Sequence, residues 1–266
     1  MRTARFHTSG PPSLTLRNTA GEIALETVEG DETVVELVAL TRSSEEAVEA
    51  ATLEQRGDEI VVELPERRML RVLVGEPKVR VAVRCPHGAL VRVKAVSADT
   101  DARGRYGELD LNAVSGDVRV EEVTGSARVK TVSGDVHVGP VGGDGAFQTV
   151  SGDVAVERVG GTTELRSVSG DVRLDAAGGP VTVQTVSGDQ TLRSVVEGAV
   201  QCKSVSGDVI VGVAPGSRVW VDAKSMSGST RSELDLADSP VGADDGPLVE
   251  IRANALSGDI RLTRAG

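Results

Sequence analysis

The sequence predicts an all-β fold, a parallel β-solenoid (single-stranded β-helix) with 18-residue coils made of two 9-residue halves. Three observations predict it. The tetrapeptide Val-Ser-Gly-Asp begins at Val114, Val132, Val150, Val168, Val186 and Val205. The variant Val96-Ser-Ala-Asp precedes these copies, and Met226-Ser-Gly-Ser and Leu256-Ser-Gly-Asp follow, with spacings of 18 five times and then 19, 21 and 30. A fixed short period of this kind marks a repeat architecture. Within each half, counted from its Ser, positions 4 and 6 are apolar and 5 and 7 mostly polar, the period-2 alternation of a half-buried strand. Position 9 is expected to turn inward after a bend. Finally, the repeat aligns like residues in columns: Val118, Val136, Val154 and Val172 in one, and Val129, Phe147, Leu165, Val183 and Cys202 in another. Columns form when coils stack in parallel register about 4.8 Å apart. An antiparallel sandwich would also alternate, but has no reason to repeat the same residue at every eighteenth position.

Composition agrees. Aromatic residues make up 2% of the chain, too few to fill a wide core, while 31 glycines supply turns for many short strands. Residues 1–95 lack the strict repeat but keep the alternation, as in Val79-Arg-Val-Ala-Val-Arg-Cys85, and are expected to form degenerate N-terminal coils. Ser43 to Ala51 is the one helical candidate, with Ser as N-cap and acids in the first turn, placed to cap an open solenoid end. Residues 96–266 carry the regular repeat, interrupted at 232–247 by an acidic Pro/Gly-bearing insertion expected to be a loop. One continuous domain is the expectation.

The Ser-Gly-Asp-Val repeats, together with the opening Leu14-Thr-Leu-Arg-Asn-Thr-Ala-Gly-Glu-Ile-Ala-Leu25, resemble the bacterial β-strand-repeat family called "putative adhesin" or toastrack. The resemblance covers nearly the whole chain. It implies a right-handed β-helix of the kind often linked to envelope-stress systems, with no catalytic residues to carry over.

The net charge of −11 argues against a nucleic-acid binder, which needs a basic footprint. No apolar run is long enough to span a bilayer, and Met1 to Pro12 lacks the apolar core of a signal peptide, so a cytoplasmic protein is expected. Ser133, Asp135 and His137 lie close in sequence, but the position of His137 is Arg119, Ala155, Arg173 and Thr191 in other coils, so Ser and Asp are there for the turn. Cys85-Pro-His87 has no second ligand pair and is weak as a zinc site. Both Cys85 and Cys202 fall in apolar rows and read as reduced core residues. Trp220 falls near a turn, where it is expected to pack under a loop, an exposed contact being the alternative. No cofactor and no metal site are expected.

Two columns remain as candidates for a role. Asp117, Asp135, Asp153, Asp171, Asp189 and Asp208 should stack, with neighbouring carboxylates repelling by about 1 kcal/mol even in water. Backbone N–H groups of each Asp's own turn, with help from adjacent Ser hydroxyls, are expected to offset this; calcium, as in β-rolls, is the alternative. The second column reads Lys94, Asn112, Lys130, Gln148, Arg166, Gln184, Lys203 and Lys224, with no acid on a strongly acidic protein. Its cations Lys94, Lys130, Arg166, Lys203 and Lys224 form a candidate partner-binding stripe for an anionic polymer or acidic protein segment; a solvated face that discourages sheet association is the bland alternative. The function expected is a non-catalytic scaffold or interaction module, binding a protein partner or itself. The alternatives are a surface adhesin, if exported, and a carbohydrate-active β-helix enzyme, which would need two acids in unlike environments that a uniform ladder does not offer.

Overall fold

The computed structural model describes residues 1–65, 77–234 and 246–265. They form two compact units, Met1–Gly139 and Pro140–Gly266. The described residues are all-β apart from one short helical segment, and the repeat builds parallel β-solenoid coils as the columns predicted.

In the first unit, Ser13–Val28 is a complete coil. Leu90–Tyr106 pairs parallel along one edge of it, while Glu59–Glu63 and Val79–Pro86 pair parallel along the other. Glu108–Asn112 and Val118–Val123 then stack on Leu90–Tyr106, and Ala127–Lys130 on Glu108–Asn112. Not all of residues 1–95 is a degenerate coil. Glu32–Ala39 runs antiparallel to Val79–Pro86 and to Arg2–His7, and Thr52–Arg56 runs antiparallel to Glu59–Glu63. The last pair closes through Gly57-Asp58 with Gly57 at φ 65, a two-residue turn that joins antiparallel strands and cannot join parallel ones. These strands take up hydrogen-bonding edges that a first coil would otherwise leave open.

The helical segment is a 3₁₀ turn, Arg42–Ser44, followed by Glu45–Glu49, with Ala47 and Val48 buried. Ser44 stands at the N-cap position without bonding the helix backbone; its hydroxyl pairs with the Thr41 hydroxyl at 2.6 Å. The other end is held by Arg2, whose guanidinium donates to the carbonyls of Val48, Glu49 and Ala51, where a cation complements the exposed C-terminal carbonyls.

In the second unit, coils built on Gly145–Ser151, Thr163–Ser169, Val181–Ser187 and Gly198–Ser206 stack in sequence order, each followed by its partner half, from Val154–Val159 to Val209–Val213. Phe147, Leu165, Val183 and Cys202 stand in register with no exposure, as the column predicted. Sequence order then breaks. The last coil, Leu248–Ser257 with Ile260–Arg264, inserts between Gly198–Ser206 and the earlier coil Arg218–Ser227, so Arg218–Ser227 and Thr230–Ser232 form the outer coil. Of the insertion expected at 232–247, residues 235–245 lie outside the described residues. Among the described residues no helix is long and apolar enough to cross a membrane.

One expectation about side-chain direction is overturned. Position 9 turns inward in the first halves, where Val123, Val141, Val159, Ala177 and Val195 are buried, but outward in the second halves. Val114, Val132, Val150, Val168, Val186 and Val205 are 46–49% exposed. In the second halves the strict alternation simply runs on, so position 8 is the inward one: Thr131, Thr149, Ser167, Thr185 and Ser204 are buried there. Three of these hydroxyls brace the turn that follows: Thr131 donates to the Ser133 carbonyl, Thr185 to the Gly188 carbonyl and Ser204 to the Gly207 carbonyl.

Candidate functional site

The Asp ladder is satisfied by hydrogen bonds between coils, not within each turn as expected. In the first unit Asp99 Oδ1 accepts the backbone N–H of Asp117 at 3.0 Å, and Asp117 Oδ1 that of Asp135 at 3.1 Å. In the second unit Asp153, Asp171, Asp189 and Asp208 each accept the N–H of the Asp on the next coil, Asp259 in the last case, all at 2.8 Å. Asp259 in turn accepts the N–H of Ser229 on the outer coil, a bond that holds its carboxyl below the usual carboxylate range with help from Arg231 and Arg261. A hydrogen bond to an ionised group contributes about 1.5–3 kcal/mol, more than the repulsion of about 1 kcal/mol per neighbouring pair, so these bonds offset the repulsion. Among the described residues no three His, Cys, Asp or Glu side chains converge to hold one. Asp135 therefore belongs to this ladder through its N–H.

The Cys-Pro-His segment also has a structural role. The Thr27 hydroxyl accepts the N–H of Arg105 at 2.8 Å and pairs with His87 Nδ1 at 2.8 Å, tying the segment to the neighbouring coils. Cys85 and Cys202 have no exposure, and burial pushes each thiol up to about 12. Trp220, expected under a loop, is instead 47% exposed on the outer coil, with the Arg252 guanidinium 5.4 Å from its ring centre.

The residues of the basic column stand in register within each unit, with two differences from the sequence reading: Arg17 stands before Lys94, and Asn254 enters between Lys203 and Lys224. Arg17, Lys94, Asn112 and Lys130 are in register in the first unit. In the second the order is Gln148, Arg166, Gln184, Lys203, Asn254, Lys224, because the inserted coil places Asn254 between Lys203 and Lys224. Amide and cation therefore alternate without exception there. Arg166 and Lys224 each pair with an acid two residues back, Glu164 and Asp222. Such exposed pairs contribute about 0–1 kcal/mol and are readily exchanged. Lys94, Lys130 and Lys203 have no ion-pair partner among the described residues.

Beside this column runs the row of exposed valines, which sequence reasoning had turned inward. Between the two rows the buried Thr and Ser form a floor. The result in the second unit is an open groove of about 360 Å³, lined by Arg166, Gln184 and Lys203 on one wall, Val168, Val186 and Val205 on the other, and Thr149, Ser167, Thr185 and Ser204 below. Gln190, fully buried, braces the floor by donating to Thr185 Oγ1 and to the Lys203 carbonyl at 2.8 and 2.7 Å. A related concavity of about 440 Å³ in the first unit is lined by Arg17, Lys94 and Val96 but also by Glu63.

A parallel β-solenoid with side-chain ladders on its outer surface is the class of protein that this fold defines. The Toastrack DUF4097 family pattern matches residues 12–263, and the chain belongs to that family. A "putative adhesin" from Parabacteroides distasonis ATCC 8503 is similar at 11% identity, with 98% of this chain and 97% of that one covered and a TM-score of 0.50. Another from Bacteroides fragilis NCTC 9343 is similar at 14% identity over 98% and 96% of the two chains, with a TM-score of 0.46. A "putative lipid binding protein" from Parabacteroides distasonis ATCC 8503 is similar at 12% identity over 98% and 96%, with a TM-score of 0.42. No curated protein matches the sequence.

Proposed function

We propose that the protein is a non-catalytic scaffold that binds an extended anionic partner along the groove of its second unit, in a regulatory or envelope-stress setting. The observation that carries this reading is the pairing of rows: cations and amides on one wall, half-exposed valines on the other, on a chain of net charge −11. A solvated face needs the cations but gains nothing from a continuous row of exposed valines beside them. A partner that neutralises one wall and covers the other accounts for both.

The test is fluorescence anisotropy of labelled poly-glutamate. Wild type should bind it, and binding should weaken with salt, because exposed charges are screened over about 8–10 Å at physiological ionic strength. The double variant Arg166→Glu, Lys203→Glu, first shown to melt normally, should lose it. Equal binding by the folded variant would reduce the stripe to a solvated face. Self-association is a second reading, favoured by the outer coil, where Trp220 and Met226 are 47% and 83% exposed. Sedimentation equilibrium decides it, since a Trp220→Ala, Met226→Ser variant should then be less associated than wild type.

A further inference from the structure

Building on the groove as a partner site, we infer that its occupant is an acidic peptide in the polyproline II conformation, with a carboxylate at every third residue. The coil backbones that form the groove already pair with their neighbours in parallel ladders, so an incoming peptide cannot be held by adding a strand. It must be held by its side chains, and their repeat must match that of the walls.

The basic wall repeats every two coils. Arg166, Lys203 and Lys224 stand on alternate coils, with Gln184 and Asn254 between them; Arg166, Gln184 and Lys203 line the groove, and Asn254 and Lys224 continue its basic edge on the next two coils. At about 4.8 Å per coil, neighbouring cations are separated by about 9.6 Å along the stack. Polyproline II rises about 3.1 Å per residue with three residues per turn, so residues three apart lie on the same edge about 9.3 Å apart. A β-strand covers a similar distance in three residues, but its side chains then point to opposite faces, and its same-face repeat of about 6.6–6.8 Å falls out of step with the cations. The three-edged helix can present acids to the cations along one edge and apolar groups to Val168, Val186 and Val205 along another, leaving its third edge in water. The intervening amides Gln184 and Asn254 offer N–H donors to its carbonyls, which have no internal hydrogen-bond partners.

The experiment uses the full chain and three labelled probes: five repeats of Glu-Pro-Val, a block isomer of the same composition with all its Glu residues together, and poly-glutamate. The repeat peptide should bind at least tenfold more tightly than the block isomer. That preference should fall at least tenfold in Lys203→Glu and in a Val186→Ser, Val205→Ser variant, each first shown to melt like wild type. If poly-glutamate binds and responds to charge reversal but the repeat peptide is no better than its isomer, the scaffold reading stands and the polyproline II inference fails. If no probe binds, both fail. A repeat peptide whose advantage survives both variants binds elsewhere and also overturns the inference.

Discussion

Leu165 has no exposure and stacks in register between Phe147 and Val183, so Leu165→Ala is a direct test of which way the second-half strands face. The substitution removes three carbon groups, worth about 0.8 kcal/mol each on transfer, or about 2.4 kcal/mol before any cavity is counted. Collapse around the cavity is limited, because backbone hydrogen bonds on both sides set the distance between coils. The total should therefore lie in the upper part of the roughly 2–5 kcal/mol range for such truncations. Val168→Ser, three residues along at 47% exposure, should cost less than about 1 kcal/mol. The assay is urea unfolding followed by the fluorescence of Trp220, the single tryptophan, which reports on the second unit. With m-values of about 1–3 kcal/mol/M, Leu165→Ala should lower the midpoint by more than about 1 M, and Val168→Ser should leave it nearly unchanged. Equal losses, or a larger loss for Val168→Ser, would refute the inward and outward assignment on which the groove depends.

Millimolar calcium or chelator should leave the melting temperature unchanged, because the ladder carboxylates accept backbone N–H groups; a large shift would show a bound cation. Cys85 and Cys202 should resist a thiol reagent in the native protein at pH 8, where a thiol at about 12 is thiolate only to about one part in ten thousand, and both should react once denatured. Gly170→Ala should lower the melting temperature well below that of Gly216→Ala, since both have positive φ but only at Gly170 would a Cβ fall 2.2 Å from a backbone oxygen, that of Gly152. The folded state depresses the Asp259 carboxyl, so its stabilisation is complete above the unfolded value of about 3.9 and is lost as pH falls through the lower folded value. Asp259→Asn keeps an oxygen acceptor but does not titrate, and its urea midpoint should fall less than that of wild type between about pH 5 and about pH 3.

The stacked columns were legible in the sequence because the repeat is nearly uniform and β-strand alternation has one period. Reading position 9 as inward failed because the two halves differ. In first halves such as Val154–Val159 the alternation shifts by one residue after position 6, so that Glu157 and Arg158 both face outward and Val159 returns to the core. Second halves have no such shift. A signal was present: at position 8 they carry Thr or Ser at residues 131, 149, 167, 185 and 204, types that can be buried next to a turn if they bond its carbonyls. The carboxylate ladder was legible as a stack, but its bonding was not, since a bond from one coil to the next depends on register, which spacing alone does not specify.

The inserted coil shows how the order of coils follows from what each can bury. An inner coil is covered on both edges and must present apolar side chains along both halves. Leu248–Ser257 and Ile260–Arg264 do so, with Val249, Ile251, Ala253, Ile260 and Leu262 at no exposure. The earlier segment cannot. Its Val219, Val221 and Ala223 suit the strand that pairs with Leu248–Ser257, but its other strand places Thr230 against Ile260 and Ser232 against Leu262, where an inner coil needs core residues. Placing it outermost leaves those polar groups in water. Stacking in sequence order would instead bury Thr230 and Ser232 against Val209 and Val211, and would leave Ile260 and Leu262 uncovered on one edge. The ladder ends consistently. Every inner rung needs a carboxylate to accept the next N–H, and the outer coil, with nothing beyond it to accept from among the described residues, carries Ser229 in that position and only donates. The same placement puts Asn254 between Lys203 and Lys224, so the alternation of amide and cation on which peptide recognition rests depends on the chain's last coil entering between two coils that precede it in sequence.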